Sequence, residues 1–240
     1  RRHQDFQARI WRIGQIGTAK AAIELLQARA KRAIDPESDA VWPEFGEYEC
    51  FACHQDLNVK DNETLKKRYE NRRPGAYRWQ TWYLTMLRQL AEIDGKDLAA
   101  LNELQKRMEV ASPQPKKVSQ QAAKVVAQLD TWQRSLGKHE GWTKAQLRAE
   151  AKQFLDWGQK QAKGLSWDQS SQLYLGLAAY HHALSDLGDD VVKANKVKPE
   201  LLKLQKKLQD AFPEGYDSPS GFTSQGLEPL LDSIRRAFGN

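Results

Sequence analysis

The chain has 240 residues, with 37 Lys and Arg against 31 Asp and Glu, which gives a formal net charge of +6 at pH 7. Hydrophobic residues make up 40% of it and include eight Trp, so a core can form and wholesale disorder is excluded. Two Cys are too few for a disulfide scaffold, and no window approaches the roughly 18 apolar residues of a membrane span. The basic residues are scattered along the chain, which argues against a nucleic-acid groove.

Hydrophobic periodicity predicts helix nearly throughout, and alternating strand patterns are absent. The first helix is predicted over residues 5–34, with an apolar face made of Ile10, Ile13, Ile16 or Gly17, Ala21, Leu25 and Ala28. Further helices are predicted over residues 77–93, 96–110, 117–136, 143–163, 166–187, 198–212 and 224–238. Two of them begin with capping boxes, formed by Thr143 with Gln146 and by Ser166 with Gln169. The sequence therefore predicts an all-α bundle of roughly eight helices.

The clearest change in composition is the segment Ala-Ser-Pro-Gln-Pro-Lys-Lys at residues 111–117. It predicts a linker between an N-terminal region, residues 1–110, and a C-terminal helical bundle, residues 118–240. The alternative is a loop within one continuous domain, since 240 residues fit either one large or two small domains.

Both cysteines fall in one pentapeptide, Cys-Phe-Ala-Cys-His at residues 50–54, which is the CxxCH pattern of covalent c-type haem attachment. The thiols of Cys50 and Cys53 add to the two vinyl groups of the porphyrin, and His54 places its imidazole on the iron. We therefore expect one haem c, and residues 1–110 become the haem-attachment region. The alternatives are a redox dithiol, which would need an α/β pattern, and a zinc site, which would need two more Cys or His ligands.

The other axial ligand of the iron is sought among the remaining His and Met residues. The predicted helix 166–187 has an apolar face made of Leu173, Leu177, Tyr180, Leu184 and Leu187. His181 lies on this face and is the first candidate. His182 falls about 100° round the helix and is the second. His3, His139 and Met86 are weaker candidates.

Aromatic residues flank the motif on both sides, namely Trp42, Phe45, Tyr48 and Phe51 on one and Tyr77, Trp79, Trp82 and Tyr83 on the other. They predict a wall for the haem that includes Trp79, or else an ordinary helical core. Residues 60–78 contain seven basic side chains. Among them, Arg72, Arg73 or Arg78 is the candidate partner of a haem propionate, and a solvated loop is the alternative.

Residues 42–57, WPEFGEYECFACHQDL, resemble the C-terminal haem segment of multihaem cytochromes of the cytochrome c554 type, which are common in planctomycete-like bacteria. Residues 167–175, WDQSSQLYL, resemble a downstream helix of the same proteins. The resemblance implies a periplasmic electron-transfer protein in which His54 is a proximal ligand. Only one CxxCH is present, so it implies either the C-terminal part of a multihaem protein or a monohaem descendant.

These features together predict a periplasmic or exported c-type cytochrome that carries electrons as part of a multihaem chain or complex. The first residues hold neither an initiator Met nor an apolar signal core, so we expect a processed form or a piece of a longer protein. One alternative is an enzyme or ligand-binding protein whose open distal site is lined by Tyr174, Tyr180 or His182. Another is a structural haem-bearing subunit.

A group of lysines in the C-terminal part favours an acidic redox partner, which itself can be multihaem. The group consists of Lys193, Lys196, Lys198, Lys203, Lys206 and Lys207. No nucleic-acid partner and no membrane span are expected, and the sequence leaves the oligomeric state open.

Overall fold

The computed structural model describes residues 4–49, 76–80, 82–193, 196–212, 219 and 221–239. Within these residues the helices of seven residues or more are α1 (Phe6–Arg32), α2 (Leu87–Ile93), α3 (Ala99–Met108), α4 (Pro115–Gly137), α5 (Lys144–Gln161), α6 (Trp167–Asp186), α7 (Val197–Gln209) and α8 (Leu227–Ala237). Short single turns lie at Phe45–Glu47, Trp82–Leu84 and Asp190–Lys193. The described residues contain no β-strand beyond one isolated bridge, so the all-α prediction is confirmed. None of their helices is both long and apolar enough to cross a membrane.

The predicted capping boxes are confirmed at the starts of α5 and α6. The Thr143 hydroxyl accepts the backbone N–H of Gln146 at 3.3 Å, and the Gln146 side chain accepts the backbone N–H of Thr143 at 2.9 Å. Ser166 and Gln169 make the same reciprocal pair at 3.2 and 3.0 Å. Each box satisfies backbone donors that the first turn leaves without a partner, which fixes where the helix begins.

The helix predicted over residues 77–93 is wrong in its first part. Helix α2 begins only at Leu87, residues 76–80 are not helical, and Trp82–Leu84 forms a single 3-10 turn. The backbone around Trp79 instead pairs with the backbone around Tyr48. This pairing joins residues about thirty positions apart, and local periodicity does not encode it.

The chain divides into two compact units. The first unit holds residues 1–15, 85–96 and 135–240, and the second holds residues 16–84 and 97–134, with the divisions inside α1 and α4 among other places. In the first unit, α5 and α7 each pack against both α6 and α8. Gly158 permits the close approach, because a Cβ there would lie 2.7 Å from the Leu173 side chain and 3.2 Å from that of Leu231.

In the second unit, the buried face of α1 repeats every three or four residues through Ile16, Ala19, Ile23, Leu26 and Ala30. Of the predicted apolar face, Ile16 is buried and Ile13 and Gly17 are partly buried, but the prediction is wrong for the exposed Ile10, Ala21, Leu25 and Ala28. Ile10 and Leu25 are 51% and 49% exposed. Helix α1 carries apolar residues on two faces, so its periodicity alone does not select the buried one.

Helix α4 follows the same spacing as α1 in the second unit, with Val118, Ala122, Val125, Leu129 and Trp132 buried. Polar contacts join α4 to α1 and to α3 in this unit. The Lys20 ammonium lies 2.8 Å from the Asp130 carboxylate, and the Gln121 amide donates to the Ala100 carbonyl at 2.8 Å.

The predicted linker at residues 111–117 joins α3 to α4 and extends into the first turn of α4. Both flanking stretches, up to residue 134, belong to the second unit. The division into a haem-attachment region at 1–110 and a bundle at 118–240 depends in part on residues 50–75, which lie outside the described residues, and it stays a prediction.

Candidate functional site

The haem-attachment motif falls outside the described residues. Cys50, Cys53, His54, Arg72 and Arg73 all belong to residues 50–75. The structure does describe the residues that lead into this segment and out of it. It also describes three predicted site residues, which are Trp79, His181 and His182.

The chain enters and leaves the 50–75 segment through a short antiparallel pairing, which we call the neck, made of residues 47–49 and 78–80. The Glu49 N–H donates to the Arg78 carbonyl at 3.0 Å, and the Gln80 N–H donates to the Glu47 carbonyl at 2.9 Å. The side chains of Arg78 and Glu49 form an ion pair at 2.9 Å. The neck therefore fixes the residue next to Cys50 in the sequence.

The last turn of α1 forms ion pairs with the first arm of the neck, residues 47–49, and with Glu44 just before it. The Arg29 Nη1 donates to the Glu47 carboxylate at 2.5 Å, and its Nε lies 3.0 Å from the Glu44 carboxylate. The Glu47 side chain is only 9% exposed, and that of Arg29 is 24% exposed. The hydrogen bond to Glu47 raises the pKa of Arg29, so the guanidinium is held in its charged form.

The second arm of the neck, residues 78–80, is hydrogen-bonded to the residue that follows α3. The Trp79 N–H donates to the Glu109 carboxylate at 3.3 Å, and the Gln105 amide donates to the same carboxylate oxygen at 3.1 Å. Near the first arm, the Trp42 indole N–H donates to the Pro113 carbonyl at 2.7 Å. Trp79 itself is 4% exposed and lies opposite Tyr48 in the pairing.

The aromatic residues in the neck and next to it in the sequence differ in burial. Tyr48 and Trp79 are buried, and burial raises the pKa of Tyr48 to about 12. The Tyr48 and Tyr77 rings lie 5.5 Å apart, and the Trp82 and Tyr83 rings lie 3.9 Å apart. Four further aromatic residues are substantially exposed, at 77, 49, 45 and 39% for Phe45, Tyr77, Trp82 and Tyr83.

The predicted aromatic wall of a haem depends also on residues 50–75, which lie outside the described residues, and it stays a prediction. A porphyrin is a large apolar disc, and flat aromatic rings left exposed beside its attachment point are the side chains that cover such a disc. Trp79 lies in the neck and Tyr77 directly before it in the sequence, and neither is on the predicted helix. Arg78, one of the three candidate propionate partners, forms an ion pair with Glu49, and the other two, Arg72 and Arg73, lie outside the described residues.

His181 and His182 are adjacent on α6, in the first unit, with ring centroids 5.6 Å apart. The predicted apolar face is confirmed for Leu173, Leu177 and Tyr180, and His181 lies half-buried at its edge. Burial lowers the pKa of His181, and the charges of His182 and Lys198 lower it further. A neutral imidazole is the form that binds iron. His182 is exposed, and the assignment of either as the axial ligand stays a prediction.

A buried polar cluster in the first unit is absent from the sequence prediction. The guanidinium of Arg12, which is fully buried, forms ion pairs with Glu150 and Asp94 and donates to the Tyr180 hydroxyl at 2.9 Å. The Tyr180 hydroxyl donates in turn to the Glu150 carboxylate. The sequence could have indicated this cluster through the position of Arg12, which lies four residues before Ile16 and therefore on the buried face of α1.

This cluster joins four parts of the first unit. The Tyr180 hydroxyl is hydrogen-bonded within it, and Tyr180 is one of the residues that the sequence analysis suggested as the lining of an open distal site. Burial raises the pKa of Glu150 although the charge of Arg12 opposes this, and burial raises that of Tyr180. Burial alone would lower the pKa of Arg12, but Tyr180, Glu150 and Asp94 raise it overall. The cluster thus links the side chains of Arg12, Asp94, Glu150 and Tyr180 within the first unit.

Among the described residues, no group of three or more His, Cys, Asp or Glu is arranged to hold a metal ion. The chain matches no protein-family profile, no curated protein and no solved structure.

Proposed function

We propose that the chain is a c-type cytochrome in which Cys50 and Cys53 hold one haem covalently and His54 binds its iron. The observation that supports this most directly is the position of the motif. Both cysteines of the chain lie in a segment whose two ends are paired at the neck, and exposed aromatic residues flank that neck in the sequence. In this proposal its activity is electron transfer.

When bound, the haem supplies a one-electron iron couple. The residues of the chain then have separate tasks. Cys50 and Cys53 fix the macrocycle, and His54 donates an imidazole nitrogen to the iron. The neck pairs the residues on either side of this segment, and Tyr48 and Trp79 within the neck are buried. Trp79 and the exposed aromatic residues that flank the neck in the sequence would cover part of the porphyrin face.

His181 is our proposed second axial ligand, ahead of His182. The half-buried position of His181 and its lowered pKa favour the neutral imidazole that iron requires. Its neighbour His182 is exposed and provides a matched control on the same turn of α6. Two strong axial ligands leave the iron no open site, which suits a relay rather than an enzyme.

The proposed location is the periplasm or the exterior of the cell, because covalent haem attachment takes place outside the cytoplasm. The proposed partner is an acidic redox protein, itself multihaem if the resemblance to cytochromes of the c554 type holds. The α7 surface supports the charge argument. Lys196, Lys198, Lys203 and Lys206 are exposed, although Lys203 and Lys206 pair within the helix with Glu200 and Asp210.

The first test is the intact mass of the full chain, expressed in a host that matures c-type cytochromes. We expect the mass of the polypeptide plus one haem, and a reduced-minus-oxidised spectrum of the c type. The control is the double variant Cys50→Ser with Cys53→Ser, which should lose the covalent haem and keep the helical circular dichroism. An unmodified wild-type mass would overturn the proposal.

The second test measures the spin state of the iron and the binding of carbon monoxide. The relay predicts a low-spin spectrum that carbon monoxide does not change. His181→Ala should convert it to a high-spin spectrum that carbon monoxide shifts, and His182→Ala should leave it as in the wild type. A wild type that is already high-spin would favour the open distal site. If His181→Ala and His182→Ala gave the same spectrum, His181 would not be the second axial ligand.

A further inference from the structure

We propose that His139 is a pH-sensitive switch in the turn between α4 and α5. Its neutral imidazole holds this turn against the start of α1, and protonation of the imidazole weakens that attachment. The turn, residues 138–143, follows α4 and ends at the capping box of α5. The inference goes beyond the proposed function, because it needs no haem, and it concerns the first unit only.

The imidazole of His139 accepts a hydrogen bond inside the turn. Its Nδ1 accepts the backbone N–H of Gly141 at 3.1 Å, and its ring stacks on that of Trp142, with centroids 4.2 Å apart and planes 10° apart. A ring nitrogen accepts a hydrogen bond only when it carries no proton. This turn therefore requires the neutral imidazole, with its ring proton on Nε2.

Hydrogen bonds attach the turn and the end of α4 to the start of α1. The Trp142 N–H donates to the Asp5 carboxylate at 3.1 Å, and the Arg9 Nη1 donates to the Leu136 carbonyl at 3.1 Å. Asp5 and Trp142 are only 3% and 7% exposed. A Cβ at Gly141 would lie 3.7 Å from the same oxygen of Asp5. The hydrogen bond inside the turn thus fixes the peptide unit next to the one that binds Asp5.

Charged groups lie beside the imidazole and the ring on which it stacks. The guanidinium carbons of Arg9 and Arg12 are 5.1 and 5.0 Å from the centroid of the Trp142 ring. The charged groups on the two elements are Asp5, Arg9 and Arg12 on α1, and Lys138 and Glu140 next to His139 in the turn. These charges bias the proton equilibrium of the imidazole. The loss of the acceptor follows from the proton itself, whatever their balance.

Protonation converts the Nδ1 of His139 from an acceptor into a donor. Two donors, Nδ1–H and the Gly141 N–H, would then face each other, so the turn must open to separate them. Loss of one hydrogen bond shifts such an opening equilibrium by about threefold to tenfold. Imidazoles in general change their charge between about pH 5 and about pH 8, so the attachment should be tight at the upper end of this range and weaker at the lower end.

The experiment measures amide hydrogen exchange by NMR in the full chain between about pH 5 and about pH 8, with each rate divided by the intrinsic exchange rate at that pH. In the wild type, the protection of the Gly141 and Trp142 amides should fall by about threefold to tenfold as the pH falls. The matched variant is His139→Asn, whose side-chain oxygen accepts an N–H two residues on without titrating. Its protection should not depend on pH. The Gln146 amide, which donates to the Thr143 hydroxyl, is the internal reference and should stay constant.

Constant protection of the Gly141 and Trp142 amides in the wild type would overturn the inference. An equal fall in the wild type and in His139→Asn would also overturn it, because a group other than His139, such as the Asp5 carboxylate, would then be the one that titrates. A similar fall at the Gln146 amide would mean that the start of α5 opens together with the turn, and this would overturn the inference as well. The proposed function is tested separately, by the mass and the spectrum of the haem protein.

Discussion

Arg12 is the residue whose environment differs most from what its sequence position suggests. A long basic side chain on a helix usually reaches solvent, yet this one is fully buried between Glu150, Asp94 and Tyr180. Stacked against the Trp142 ring at 5.0 Å, it is also covered on one face. Buried charges of this kind persist only when each partner is present.

Replacement of Arg12 should therefore strongly destabilise the protein. Arg12→Ala leaves two carboxylates without their cation and should lower the free energy of unfolding by about 3–5 kcal/mol. The measurement is urea denaturation followed by circular dichroism. Lys203→Ala is the control, because its ion pair with Glu200 is exposed and contributes about 1 kcal/mol or less. Equal losses in the two variants would contradict the role given to Arg12.

Glu150 should make the stability depend on pH. The cluster buries Glu150 against Arg12, and the Glu150 side chain is 11% exposed. Burial raises the pKa of Glu150 above its usual 4.5. The folded state then binds the extra proton, and this stabilisation is complete below pH 4.5 and is lost as the pH rises through the raised pKa.

The comparison of wild type with Glu150→Gln isolates this effect. Gln does not titrate, so the wild type should lose unfolding free energy relative to the variant as the pH rises above 4.5. Urea denaturation at a series of pH values gives the difference. A difference that stays constant, or that changes in favour of the wild type, would show that the carboxylate is not destabilised by its burial.

At the scale of elements, local signals predicted the parts of the chain that local physics decides. The capping boxes at Thr143 and Ser166 involve residues three positions apart, and both are confirmed. The neck was missed because Tyr48 and Trp79 meet across a long separation in the sequence. The buried face of α1 was missed for a related reason, since its partners select between two apolar faces.

At Gly176 on α6, two elements of the first unit approach each other closely. A Cβ there would lie 2.7 Å from the ring of Trp11, which packs edge-to-face against Phe154 and Tyr180 and so has little room to move. Gly176→Ala should therefore lower the free energy of unfolding by about 1–3 kcal/mol. Thermal or urea denaturation would measure this.

Gly14→Ala is the matched control for that substitution, because no atom lies within 4 Å of its Cβ position on α1. It should raise the free energy of unfolding by up to about 1 kcal/mol through helix propensity alone. The two Gly→Ala substitutions should therefore change the free energy of unfolding in opposite directions. Stabilisation by both would mean that α1 and α6 are further apart than the structure has them.

At the scale of the whole molecule, the sequence predicted the all-α class because composition and periodicity act over the entire chain. The haem, its second ligand and the resemblance to multihaem cytochromes stay predictions, since they depend on a motif outside the described residues. The net charge of +6 is known without any structure. It leads to a prediction that depends on no single contact.

For a molecule of net charge +6, the effect of salt on the rate of oxidation should depend on the sign of the oxidant's charge. Oxidation of the reduced protein by anionic hexacyanoferrate(III) should slow by about threefold or more between about 0.01 M and about 0.2 M salt, because screening weakens the attraction. Oxidation by a cationic cobalt(III) phenanthroline complex should accelerate over the same range. Stopped-flow absorbance of the haem measures both rates. Two rates with the same salt dependence would mean that the positive charge does not control access to the haem, and the proposal of an acidic partner would lose its support.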